Sequence, residues 1–72
     1  MNKQQLLDNL QLIQKYLQQS EEILLKIYHN YKNKNQKVAD WAGQLSTLMA
    51  QDKNLISNFM DYVSREVAES ES

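Results

Sequence analysis

Few residues in this 72-residue chain have the type and spacing that catalysis requires. His29 is predicted to lie on the outer face of a helix, where a base has neither a pocket nor a partner that orients it. Glu21 and Glu22 are adjacent, so on a helix they diverge instead of forming an acid and base pair. The sequence has no Cys, no Glu-x-x-His pair and no glycine-rich phosphate loop. We therefore expect a non-enzymatic protein with no cofactor and with no catalytic or metal-binding residues.

Lysines around a polar segment in the middle of the chain are the other residues with ligand chemistry. Their ammonium groups could hold phosphates while the nearby tyrosines stack on bases, as in a nucleic-acid site. The formal net charge is −1 and this segment has no arginine, so we expect no nucleic-acid partner. A solvated turn explains the same residues. The candidate anion-binding tip consists of Lys26, Lys32, Lys34 and Lys37.

Two long helices are predicted to position these residues. The chain has no Pro and one Gly, so few residues interrupt helix, and the fold class is all-α. Each half carries apolar residues at alternating steps of three and four, the spacing of a coiled-coil seam. In the first half these are Leu6, Leu10, Ile13, Leu17, Leu24, Ile27 and Tyr31, interrupted by Ser20. In the second half they are Val38, Trp41, Leu45, Leu48, Leu55, Phe59 and Tyr62, interrupted by Asp52.

A polar segment between the two stretches predicts a reversal, and a short connection makes the helices antiparallel neighbours. Asn2 and either Asn33 or Asn35 are the expected N-caps. The predicted hairpin spans residues 1–67, with helices at about 3–32 and 37–67, a turn at about 33–36, and a frayed acidic tail at 68–72. An alternative is that the second helix breaks near Asp52, which then caps a third helix.

Folding the hairpin about Gln36 aligns Ser20 with Asp52. A polar layer inside an apolar seam costs stability, but it fixes the register, because a slipped pairing would bury Asp52 against leucine. We therefore predict that Ser20 and Asp52 form the register-setting layer of the hairpin.

A chain this short buries little core and has no Cys for a disulfide, so oligomerisation is the expected means of stabilisation. We predict an antiparallel homodimer of hairpins, a four-helix bundle in which the basic turn of one copy lies near the acidic end of the other. The bundle would act as an adaptor, chaperone or regulator that binds another protein through an adaptable apolar strip. The strip consists of Ile23, Met49, Ile56, Met60 and Val63. A Rop-like RNA-binding bundle is an alternative.

Trp41-Ala42-Gly43 resembles the Trp-x-Gly signature of the WXG100 (ESAT-6-like) family, and the Tyr62 to Glu66 segment resembles that family's carboxyl-terminal Tyr-x-x-x-Asp/Glu export signal. The resemblance implies a small helical hairpin exported without a cleaved leader, in which Trp41 and Gly43 shape the bend and the exporter reads Tyr62 and Glu66. In this chain the polar turn precedes the tryptophan. No apolar run is long enough to span a membrane, so we otherwise expect a cytoplasmic protein.

Overall fold

Two antiparallel helices joined by a tight turn make up the fold. The computed structural model describes residues 1–68, and its helices are α1, Lys3–Tyr31, and α2, Gln36–Glu66. Both begin within one residue of the predicted positions. The described residues form a rod with Cα extents of 55 × 15 × 11 Å. The all-α hairpin predicted from the apolar spacing is therefore confirmed, while the predicted tail at 68–72 lies, apart from Ala68, outside the described residues.

Asparagines begin both helices, as predicted. The side-chain oxygen of Asn2 accepts a hydrogen bond from the Gln5 amide, and the Gln5 side chain accepts one from the Asn2 amide, which completes a capping box. Asn35 accepts from the Val38 amide at 3.2 Å and is thus the cap of α2. These bonds satisfy amides that have no partner within a helix.

Helix α2 runs without interruption through Asp52. The alternative in which Asp52 caps a third helix is therefore wrong. Weak helix formers around Asp52 are tolerated because tertiary packing, more than intrinsic propensity, stabilises a long helix.

The two helices meet along one heptad-spaced row of residues on each, which we call the inner seam. Every member is buried or half-buried. On α1 the inner seam consists of Lys3, Leu7, Leu10, Gln14, Leu17, Glu21, Leu24 and Tyr28. On α2 it consists of Ala39, Ala42, Ser46, Met49, Lys53, Ile56, Met60 and Val63, and the C-cap Val67 continues it. The alternation of three and four residues keeps each row facing the other helix along the whole rod.

The predicted contact row of α2 is wrong by one residue. The row that begins Trp41, Leu45, Leu48 is exposed, and the residue that follows each of these lies in the inner seam instead. One residue corresponds to a rotation of about 100° around the helix. Asp52 is consequently exposed, so the predicted Ser20–Asp52 layer inside the hairpin is also wrong.

An ion pair occupies the level of the seam where the Ser20–Asp52 layer was predicted. The Lys53 Nζ lies 2.8 Å from the Glu21 Oε1, and the two side chains are only 23% and 17% exposed. The Lys53 ammonium also donates to the side chain of Gln18. Because a largely buried charge needs a partner, this pair holds the two helices in one register.

Small residues on α2 allow the helices to approach closely near the turn. Ala39, Ala42 and Ser46 are buried, and a Cβ added at Gly43 would lie 3.6 Å from the Tyr28 Cδ2. The tyrosine ring of α1 thus packs over a part of α2 that has almost no side-chain bulk. This packing also explains why the hairpin closes through a turn as short as residues 32–35.

We expect Gly43→Ala to stabilise the protein by about 0.5–1 kcal/mol. The added methyl group would make an ordinary van der Waals contact with Tyr28, and alanine is the better helix former in the interior of α2. Urea unfolding at a fixed protein concentration measures the change, with Ala42→Gly as the destabilised control. Loss of stability in Gly43→Ala would show that the helices require a glycine there.

The Glu21–Lys53 pair can be tested with a double-mutant cycle. We expect Lys53→Met alone to cost about 1–2 kcal/mol, because it leaves a largely buried carboxylate without its cation. Glu21→Leu combined with Lys53→Met should restore at least the original stability, because two apolar side chains then pack in the seam. The readout is urea unfolding at one protein concentration. If the change in unfolding free energy of the double variant equals the sum of the changes in Glu21→Leu and in Lys53→Met, the two residues are not coupled.

Candidate functional site: an apolar face along both helices

A second heptad-spaced row lies on each helix, one residue before the inner seam. Most of its members are large and apolar. We call the two rows together the apolar face. On α1 they are Leu6, Ile13, Tyr16, Ile23 and Ile27, and on α2 Trp41, Leu45, Leu48, Leu55, Phe59 and Tyr62.

Both rows lie on the same side of the hairpin. Each is rotated by about 100° from its inner seam in the same sense when viewed from the helix amino end. Because the helices are antiparallel and their inner seams face each other, the two rotations turn both rows toward one side. The hydrogen bonds from Lys53 to Gln18 and from Gln14 to Ser57 lie on the other side, which agrees with this assignment.

Most of the apolar face is open to solvent. Trp41 is 62% exposed, Leu55 65% and Ile23 57%. An apolar surface that extends along most of a rod is unusual for a monomer, and such surfaces mark interaction sites. The face combines tryptophan, tyrosine and phenylalanine with leucine and isoleucine, the composition typical of the core of a protein interface.

Ser20 and Asp52 interrupt the apolar face near its middle. The bond from Gln14 to Ser57 and the contact between Tyr28 and Gly43 set the helix register, which places Ser20 level with Asp52. The two residues predicted as a pair thus share one level, but on the open face and not in the hairpin interior.

The outer edge of the apolar face is the edge farthest from the inner seam on each helix. Its middle carries uncharged amides, and its charged side chains occur only toward the two ends of the rod. The amides are Gln19, Gln44, Gln51 and Asn58. Lys26 and Lys37 lie at the turn end and Arg65 at the open end. A partner can approach the middle of this edge without desolvating an ion.

The opposite side of the hairpin is polar. An open groove of about 490 Å³ runs between the helices there, and the Gln14 side chain donates to the Ser57 hydroxyl across it at 2.7 Å. The groove is lined by Gln11, Gln14, Lys15, Gln18, Lys53, Asn54 and Ser57. The hairpin therefore has one apolar and one hydrated side.

The structure separates the five residues predicted as a protein-binding strip. Ile23 lies on the apolar face. Val63 is fully buried in the inner seam, and Met49, Ile56 and Met60 are half-buried beside it. The prediction that these four α2 residues form a docking strip is wrong, because they already pack against α1. The exposed strip of α2 is the row that had been predicted as the hairpin contact.

The other predicted site residues lie on the surface. Lys26, Lys32, Lys34 and Lys37 are all exposed around the turn, and the Lys34 ammonium donates to the Asn30 side chain at 3.2 Å. His29 is exposed and packs edge-to-face with Tyr28, with the ring centroids 5.3 Å apart. Among residues 1–68, no three His, Asp or Glu side chains come together as metal ligands would.

The two short motifs are both part of α2. Trp41-Ala42-Gly43 lies in the second turn of the helix and not at the bend, so the tripeptide does not shape the reversal in the way that the WXG100 resemblance implies. Tyr62 and Glu66 are exposed in its last two turns.

Neither α1 nor α2 has the length and apolarity needed to cross a membrane. No protein-family model, curated protein or solved structure shows a significant match to this chain.

Proposed function

We propose that this protein is a non-enzymatic helical interaction module that works as an antiparallel homodimer, in which two apolar faces pack together as a four-helix bundle. The observation that carries the proposal is the position of the apolar face. It is a second heptad-spaced row on each helix, and it lies on one side of the hairpin, where most of its side chains are exposed.

The angle between the two rows fits a bundle. In a four-helix bundle each helix contacts two neighbours in directions roughly at right angles. Rows one residue apart on a helix point about 100° from each other. The inner seam supplies the contact within the hairpin, and the apolar face supplies the contact with a second hairpin.

The exposed area has the size that a stable dimer needs. The accessible surface is 5399 Å², whereas a globular monomer of 8.5 kDa exposes about 4,700 Å². The surplus of about 700 Å² is close to the ~800 Å² that each partner buries in a typical stable complex. Docking one face of the rod would bury an area of this order.

The distribution of charge favours a second copy with its turn at the opposite end. Residues 24–47 carry four lysines and one aspartate. The other end, residues 1–16 and 56–68 of the described chain, carries three acidic and three basic residues. Antiparallel docking keeps the two basic turns apart and places each near the charge-balanced end of the other copy, and such charge placement steers association and orientation more than it adds affinity. The uncharged amides along the outer edge let the middles of the two hairpins meet without charge repulsion.

The dimer would leave the polar groove of each hairpin exposed on opposite sides. These grooves and the lysine tip are the surfaces available for a further protein partner, which is the role of an adaptor or regulator. A Rop-like RNA complex would use the same outer surface, and salt-sensitive retention on an RNA column would identify it.

Matched leucines on the two sides of the hairpin test the dimer. Leu48 on the apolar face is 50% exposed and Leu25 on the other side is 41% exposed. We expect Leu48→Lys to raise the dimer dissociation constant about 100-fold or more, because it buries a charge in the interface. We expect Leu25→Lys to change it by less than about threefold. Sedimentation equilibrium between about 1 and 200 μM measures both constants.

Circular dichroism of both leucine variants shows whether the hairpin remains helical. A wild-type protein that stays monomeric throughout this concentration range would refute the dimer. An equal effect of the two leucine substitutions would refute the apolar face as its interface.

The orientation of the two copies can be measured independently. The chain has no cysteine, so Asn33→Cys places one spin label at the exposed turn of each copy. In the antiparallel dimer the two labels lie at opposite ends of the rod, about 45 Å apart for helices of about 30 residues. A distance below about 25 Å would mean that the turns lie together, and the antiparallel arrangement would be wrong.

A further inference from the structure

Asp52 is an acidic residue in the middle of a surface that is otherwise apolar. It lies between Leu48 and Leu55 in the α2 row of the apolar face, and it is exposed in the hairpin. In the proposed dimer this surface becomes the interior of the bundle. An unpaired carboxylate that loses its water there costs free energy.

Within residues 1–68, the hairpin supplies no counter-ion on this side. The adjacent cation, Lys53, lies in the inner seam, where its ammonium contacts Glu21 and Gln18 on the side away from the apolar face. From α1, the residue level with Asp52 is Ser20, whose hydroxyl can donate one hydrogen bond but carries no charge. Glu22 is exposed on the outer surface of α1.

The dimer brings the two copies of Asp52 close together. The α2 row of the apolar face extends from Trp41 to Tyr62, so its middle falls at residues 51–52. A two-fold axis that overlaps the two faces fully passes near this level, and the two Asp52 side chains then lie within about one helical turn of each other, ~5.4 Å along the rod. The groups around them are the serines of both copies and apolar side chains.

We infer that Asp52 couples self-association to proton uptake, so that the dimer forms more tightly in mild acid than at neutral pH. The inference rests on the proposed dimer. Two carboxylates in one poorly hydrated layer cannot both stay charged without cost, whereas each is solvated in the free hairpin. The dimer therefore binds protons more tightly than two monomers do, and by linkage its stability rises as the pH falls.

A protonated Asp52 would also suit the layer chemically. Its hydroxyl can donate to the carboxylate of the other copy, and each serine hydroxyl can donate to a remaining oxygen. The layer would then be both hydrogen-bonded and selective, because a slipped register places Asp52 against leucine or tyrosine. Asp52 thus sets both the register of the dimer and the pH at which it forms.

Sedimentation equilibrium of the full chain at about pH 5 and about pH 7.5 tests the inference. We expect the wild-type dissociation constant to fall about tenfold or more toward the lower pH. The Asp52→Asn dimer should be tight at both pH values. Its dissociation constant should change by less than about threefold, because an amide carries no charge to bury. The matched control is Asp40→Asn, an exposed aspartate of α2 outside the apolar face, which should keep the wild-type response.

The aspartate variants separate the possible results. Asp52→Asn retains His29 and every other charged residue, so a flat response in that variant assigns the effect to Asp52. A wild-type dimer whose affinity does not change with pH, or an Asp52→Asn dimer that responds like the wild type, would overturn the inference while the proposed function stands. If neither wild type nor Asp52→Asn dimerises at either pH, both proposals fail.

Discussion

Each helix carries two heptad rows one residue apart, and a two-helix hairpin can bury only one of them. This constraint organises the molecule. The row of α2 that packs inside the hairpin contains small residues and the lysine of the Glu21–Lys53 ion pair, whereas the row of α2 left outside contains Trp41 and Phe59. On α2 the hairpin thus closes through the row with the smaller side chains and leaves the row with the larger ones exposed.

The size of the side chains explains why the hairpin buries this row. Ala39, Ala42 and Ser46 let α2 approach α1 closely beside the turn, where the connection between the helices is only four residues long. Bulky residues such as Trp41 and Leu45 would hold the helices further apart at that point. The hairpin therefore packs the small residues of α2 densely against Tyr28, although burying the row that contains Trp41 would remove more apolar surface from water.

Two adjacent charged residues of α2 lie in opposite environments, one largely buried between the helices and the other exposed on the apolar face. Lys53 lies in the inner seam, where it is matched by Glu21, whereas Asp52 is solvated on the apolar face. A matched pair fixes register in a seam that is otherwise permissive, because sliding by one heptad would separate the two charges. Adjacent residues on one helix thereby belong to two different surfaces, which is possible because one residue rotates the chain by about 100°.

The sequence by itself determined the elements: two long helices, their asparagine caps, the turn between them and their antiparallel order. These follow from heptad spacing, the lack of Pro and the capping chemistry of Asn2 and Asn35, all of which are local. Only the tertiary structure decided which row of each helix is buried. Two rows with the same spacing satisfy the same sequence pattern, so periodicity could not distinguish them, and apolar content favoured the wrong one on α2. The choice depends on how closely the backbones approach and on which charges meet across the seam, and both are properties of the packed pair of helices.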